Sequence, residues 1–196
     1  MTLTAIHVTP VAQFNASQFI DYANTLFDTV NLKEVPNDLY LTSLGKYSGI
    51  TCEDLPNSEP LKNFIVDCAK EFFTGLGGDV DDYDFQVAGM WLNEMASGTH
   101  HSRHSHWAHT FSGTFYVNMP TNTGGINFTT PLVLINRFKM KIKEHTVFNA
   151  ETATMNPVTG DLLMWESHIP HEVPPSTYDG VRRGIGFDVD LTEKNT

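Results

Sequence analysis

Two stretches of the chain repeat apolar residues at helical spacing. In "NASQFIDYANTLFDTVNLK", which begins at Asn15, residues Phe19, Ile20, Ala23, Leu26, Phe27 and Val30 fall on one helical face. The spacing predicts an amphipathic helix, with Asn15 or Ser17 as its cap. A second follows "LPNSEP", where Leu61, Phe64, Ile65, Cys68, Ala69, Phe72 and Phe73 repeat in the same way until "GLGG" stops it. An apolar stripe has to be covered by another element, so both helices are expected to pack on a sheet.

After Gly78 the texture changes to short runs of Val, Ile, Phe, Tyr and Thr separated by Gly, Pro and Asn. These predict strands over residues 83–95, 112–119, 124–129, 137–148, 161–165 and 181–190. The expected fold is α+β: a double-sheet, jelly-roll core (a double-stranded β-helix) with the N-terminal helices packed on one sheet. With no internal repeat or linker, residues 1–196 are expected to form a single domain, 1–78 as helical support and 79–192 as the core. Gly124 and Gly125 read as a turn. "GLGGD" neither follows a strand nor opens a helix, so it is no dinucleotide loop.

Composition removes several function classes. No tract is long and apolar enough to span a bilayer, and the start lacks the basic region and apolar run of a secretory signal, so a cytoplasmic protein is expected. A net charge of -11 argues against a general nucleic-acid binder, which needs clustered cations. In "NRFKMKIKEH" the cations Arg137, Lys139, Lys141 and Lys143 alternate with apolar residues and share one strand face, read as a solvated edge or as a surface for an acidic partner. Cys52 and Cys68 each stand alone, which fits idle thiols better than a bridge or a zinc pair.

The candidate chemistry lies in "HHSRHSHWAHTFSGTFYVN", residues 100–118, which holds five of the nine histidines. His104 and His106 are two apart, so on an extended segment both imidazoles point to one side and could bind one ion. Imidazole suits several metals, and the pair does not choose among them. In "NPVTGDLLMWESHIPHEVPP", His171 lies far enough along the chain to return from a neighbouring strand as a third ligand, and three ligands leave open the positions a catalytic ion needs. Arg182 then starts a strand continued by Ile185 and Phe187, where an inward guanidinium would require an anion.

The order HxH, "SGTFYVN", "GGINF", "PVTGDLLMWESHIPH" and a strand-borne Arg resembles the 2-oxoglutarate- and iron(II)-dependent oxygenases over roughly residues 88–190. The resemblance implies Fe(II) as cofactor, with 2-oxoglutarate and O2 as cosubstrates. It implies that His104 and His171 are iron ligands. The position usually held by Asp or Glu is here His106, which either replaces the carboxylate ligand or stands beside the metal without binding it. Arg182 matches the residue that pairs with the far carboxylate of 2-oxoglutarate, with Tyr116 assisting. Arg183 competes with Arg182, because a register shift of one residue swaps faces.

Other residues carry two readings each. Asn93 is a candidate for cosubstrate contact or for a ladder role, and Trp107 for the wall of a substrate mouth; Trp91 and Trp165 read as core or pocket wall. His168 is an alternative to His171, although the pattern ends "PH" at His171. His100, His101 and His109 are expected in solvent or beside the ligands. The implied reaction hydroxylates an unidentified protein side chain or small molecule and forms succinate and CO2, with no catalytic residue beyond the metal ligands. Two rivals stand beside it. One is a cupin-like metalloprotein, suggested by "GTHHSRHSH" but lacking the glutamate expected after HxH; the other is a non-enzymatic jelly-roll module with a structural metal.

Overall fold

In the computed structural model, the described residues are 2, 8–34, 46–47, 55–130, 143–144, 146 and 149–194. The first apolar stripe forms helix α1 (Ile20–Thr29), led in by a 3-10 turn at Ser17–Phe19. The Asn15 side chain accepts the Ser17 N–H at 2.9 Å and turns the chain into that segment. The second stripe forms α2 (Glu59–Gly75), with a proline in its first turn, where a missing N–H is harmless. Gly77, at φ 91°, ends it in the left-handed conformation that favours glycine.

The strands are β1 (Val11–Asn15), β2 (Lys33–Glu34), β3 (Lys46–Tyr47), β4 (Tyr83–Ala96), β5 (His101–His104) and β6 (Phe111–Asn118). They continue with β7 (Ile126–Thr129), β8 (Thr152–Met155), β9 (Asp161–Glu166), β10 (His171–Val173) and β11 (Val181–Glu193). Among the described residues they form a seven-stranded sheet ordered β1-β9-β6-β11-β4-β3-β2 and a four-stranded sheet ordered β5-β10-β7-β8. Every pairing in both is antiparallel. This is the double-sheet core expected from the sequence, with the helices on one outer face.

Alternation along the large sheet divides its side chains between two apolar clusters. Met90, Leu92, Phe115, Leu162, Ile185 and Phe187 face the helices and meet Leu26, Leu61, Ile65 and Phe72. Residues one step out of phase turn inward, where Tyr116, Leu163 and Trp165 pack with Ile126, Phe128 and Ile169. Each fully buried large apolar side chain contributes about 1.5–3 kcal/mol, so the helix-facing layer anchors the sheet that carries the inner face. Cys68 belongs to the helix-side layer, and burial pushes its thiol up to about 12, which leaves it inert.

Strands β1, β5, β8 and β10 were not signalled by the hydrophobic pattern. They are three to five residues long, too short for alternation to stand out. β1 also adds a strand to the segment expected to be helical support. The expected strand 137–148, with Arg137, Lys139 and Lys141, lies almost wholly outside the described residues; Lys143 falls in a bend. Cys52 also lies outside them. No helix among the described residues is long and apolar enough to cross a membrane.

Candidate active site

His104 ends β5 directly opposite His171, which begins β10, so the two side chains stand side by side across the ladder. Their ring centroids are 4.3 Å apart. His106 lies just past the end of β5, where its backbone N–H donates to the Ser167 carbonyl at 2.9 Å and holds the segment against the strand leading out of β9. The ligand atoms of His104, His106 and His171 all lie within 4.8 Å of one another. Three imidazoles from two distant parts of the chain therefore meet at one point.

Each of these rings is oriented by a hydrogen bond at Nδ1. The acceptors are the Ser102 carbonyl for His104 at 2.7 Å, the Ile169 carbonyl for His171 at 3.0 Å, and Asp188 Oδ1 for His106 at 2.8 Å. All three partners accept, so each Nδ1 carries the proton and each Nε2 lone pair is left for a metal. Burial pushes the His171 pKa down to about 3, with His104 adding to the effect, and burial also lowers that of His104. The His104 and His171 imidazoles are thus neutral at neutral pH, the form that ligates.

The other histidines separate clearly. His168 is exposed, which leaves His171 as the inward residue of the two. His101 lies against His104, tilted by 32° with centroids 4.1 Å apart, and burial together with the neighbouring His104 lowers its pKa to about 2. A register shift between β5 and β10 places an extra residue in β5, which brings His101 and His104 to the same face. His109 Nδ1 lies 3.0 Å from Asp190 Oδ1, and His109 Nε2 lies 3.6 Å from Asp188 Oδ2. His100 is half-buried.

The two arginines part company at β11. Arg182 is 5% exposed, lies 5.4 Å from the centre of the Tyr116 ring, and makes one long contact with the Gly125 carbonyl at 3.4 Å. Arg183 turns to the helix side, with Nε 3.0 Å from Glu94 Oε2 and its guanidinium over the Phe27 ring of α1. The Tyr116 hydroxyl is buried without a hydrogen-bond partner, and burial pushes its pKa up to about 12 against the pull of Arg182. Asn93 pairs with Gly184, so by register it shares the inner face with Arg182 and Trp91.

Aromatic rings close the surroundings. Trp91 stacks on His106 at 5.7 Å and 21°, while Trp165 meets His171 edge-on at 4.7 Å. Trp107, one residue past His106, is 85% exposed, so it stands at the surface beside the site and leaves the core to others. Asp188, Ser112 and Ser167 join the site without any motif in the sequence that marks them together. The signal for Asp188 was present: a carboxylate in the apolar run "GIGFDVD" has to meet a partner if that strand is buried.

Comparison with curated protein sequences finds no match. Among solved structures, the fold is similar to an oxidoreductase of the 2OG-Fe(II) oxygenase family from Burkholderia pseudomallei, at TM-score 0.65 and 15% identity over 92% of this chain and 85% of that one. It is also similar to a Pseudomonas putida prolyl-4-hydroxylase, at TM-score 0.62 and 14% identity over 95% of this chain and 94% of that one. The epimerase SnoN from nogalamycin biosynthesis, solved with Fe3+, alpha ketoglutarate and nogalamycin RO, matches at TM-score 0.63 and 11% identity over 95% of this chain and 82% of that one. These identities speak to the fold, a double-stranded β-helix. Residues 89–188, about half of the chain, match the family described as "Putative 2OG-Fe(II) oxygenase", and with the histidine cluster falling inside that match, the chain belongs to the 2-oxoglutarate- and Fe(II)-dependent oxygenases.

Proposed function

We propose that His104, His106 and His171 hold Fe(II), that Arg182 and Tyr116 take the far carboxylate of 2-oxoglutarate, and that the enzyme hydroxylates a protein side chain or small molecule. The observation that carries this reading is the convergence of three imidazoles on one point at the small sheet, with Arg182 turned inward from the large sheet. The residues present fit both groups. Three neutral imidazoles suit a divalent first-row ion, and a buried guanidinium beside an orphaned hydroxyl suits a carboxylate.

Iron and 2-oxoglutarate together supply oxidation by O2, in which one oxygen atom enters succinate, CO2 is lost, and the other oxygen replaces a substrate C–H with C–OH. The protein's part is placement and insulation. Arg182 fixes the cosubstrate by a charge-assisted fork, and Tyr116 donates its otherwise unpaired O–H to the same carboxylate. Leu163, Phe128 and Trp165 line the neighbouring interior and exclude water. Asn93 reaches the cosubstrate from the same face, and Trp107 offers an exposed aromatic surface to the substrate.

Family membership displaces the cupin-like and non-enzymatic alternatives. Both prolyl hydroxylases and an epimerase of nogalamycin biosynthesis share the fold, so the fold does not choose between peptide and small-molecule substrates. Anaerobic titration with Fe(II) and 2-oxoglutarate tests the site: a weak visible charge-transfer band is expected and should vanish in Arg182→Ala. No cosubstrate binding at millimolar concentration overturns the reading. Mass spectrometry of a lysate incubated with the enzyme, seeking a gain of one oxygen, then identifies the substrate.

A further inference from the structure

Replacing the usual carboxylate ligand by His106 leaves the ion short of one negative charge. The charge is close by. Asp188 is 5% exposed, and its Oδ1 accepts from His106 Nδ1 at 2.8 Å and from Ser112 Oγ at 2.6 Å. Ser112 Oγ lies 2.7 Å from Ser167 Oγ, and Ser167 donates its backbone N–H to Thr110 while accepting that of His106. Asp188 Oδ2 faces His109 Nε2 at 3.6 Å. A buried carboxylate has thus been built into a cradle whose main partner is the departing ligand position.

The register explains why the carboxylate sits there. Asp188 is opposite Ser112 on β6 and Gly89 on β4, on the inner face shared with Arg182, and a shift in the β11–β4 pairing follows it immediately. Nothing among these contacts gives Asp188 a Lys or Arg partner among the described residues; the groups facing it are His106, His109 and the Ser112 hydroxyl, which is itself bonded to that of Ser167. A buried carboxylate with only imidazole and hydroxyl partners is costly unless a positive charge stands behind one of them.

We infer that Asp188 is the displaced carboxylate of this metal site: a positioning residue that holds His106 with Nε2 toward the ion and returns, through that ring, the negative charge the third ligand lacks. The inference rests on the three-histidine reading of the site. It predicts that position 106 and position 188 share one negative charge, so that either may carry it but not both. Asp188→Asn isolates the charge, because Asn Oδ1 can still accept from His106 and Ser112. Its Nδ2 takes the place of Oδ2, 3.6 Å from His109 Nε2 and too far for a hydrogen bond.

The test is anaerobic Fe(II) titration of metal-depleted full-length protein, with the Fe(III)/Fe(II) midpoint potential read on the loaded forms. Asp188→Asn is expected to weaken Fe(II) binding about 10–100-fold and to raise the potential, since the oxidised ion loses its compensating charge. In a His106→Asp background the sign reverses. There two carboxylates confront each other, and adding Asp188→Asn should tighten binding relative to His106→Asp alone. Affinity within twofold of wild type together with an unchanged potential, or an equal loss from Asp188→Asn in both backgrounds, overturns the inference and leaves the triad standing. If Asp188→Asn alone does not fold, the comparison of His106→Asp with the double variant decides by the same sign. Wild type without Fe(II) affinity, or His104→Ala binding as tightly as wild type, overturns the triad reading itself.

Discussion

Arg182 and Arg183 are neighbours in sequence, yet they serve opposite faces of one sheet. Arg182 lies inside over Tyr116, while Arg183 reaches out to Glu94 and to Asp28 of α1. A single peptide unit separates a guanidinium buried in the interior from a fastener between sheet and helix. Arg182→Ala should abolish 2-oxoglutarate binding with little loss of melting temperature. Arg183→Ala should leave binding intact and cost about 1 kcal/mol, the modest worth of a partly exposed pair. The Kd for 2-oxoglutarate and thermal melts separate them, and matching losses of affinity in both variants would sink the assignment.

Tyr116 offers a prediction with two signs. Its hydroxyl is buried and unpaired in the protein by itself, which is a cost that a ligand oxygen would relieve. Tyr116→Phe should therefore hold or raise the melting temperature of the ligand-free protein while weakening 2-oxoglutarate binding several-fold. Unchanged affinity would show that the hydroxyl serves something else.

Gly186 guards the posture of Trp91. A Cβ added there would stand 2.5 Å from Trp91 Nε1, and Trp91 is the ring stacked on His106. Gly186→Ala should cost about 1–3 kcal/mol by overpacking and should also weaken metal binding through His106. Gly89→Ala is the control, since its Cβ would meet Trp91 at an ordinary 3.7 Å. Equal metal affinity in the two variants would disconnect Trp91 from the site.

Acid should weaken the metal-free protein in a defined window. Burial lowers the pKa of His101 to about 2 and that of His171 to about 3 from an ordinary 6.5. Below pH 6.5 the unfolded chain takes up protons that the native state refuses, so stability is full above that value and falls as pH drops toward 3. Denaturant unfolding at several pH values measures the slope, which should shrink in His171→Asn. A bound metal should shift the loss to lower pH until protons displace it.

The exposed aromatic beside His106 makes a sharper kinetic case. Trp107 is 85% exposed, so Trp107→Ala should change stability by less than about 0.5 kcal/mol. If it carries substrate, KM for the primary substrate rises while turnover of 2-oxoglutarate without substrate stays the same. An unchanged KM would return Trp107 to an ordinary surface residue.

Much of the site was legible because its parts obey local periods. His104 and His106 are a step of two apart, and the helical stripes that support the sheet repeat over several turns. The motif favours His171 over His168, and in the structure His171 is buried while His168 is exposed. The short strands β5 and β10 were not legible, although they carry two of the three imidazoles. Three or four residues cannot display an alternation, and such strands exist only because their neighbours complete the ladder.

By itself, then, the sequence determined the two amphipathic helices, the strand-rich core and the identity of the residues able to bind a metal. These follow from local spacing and side-chain chemistry. Only the tertiary structure decided which arginine faces inward, that the His101 ring lies against that of His104, and that Asp188 meets His106 across 82 positions of chain. Those outcomes depend on strand register, and register is a property of paired strands: shifting one by a single residue exchanges every inward and outward side chain.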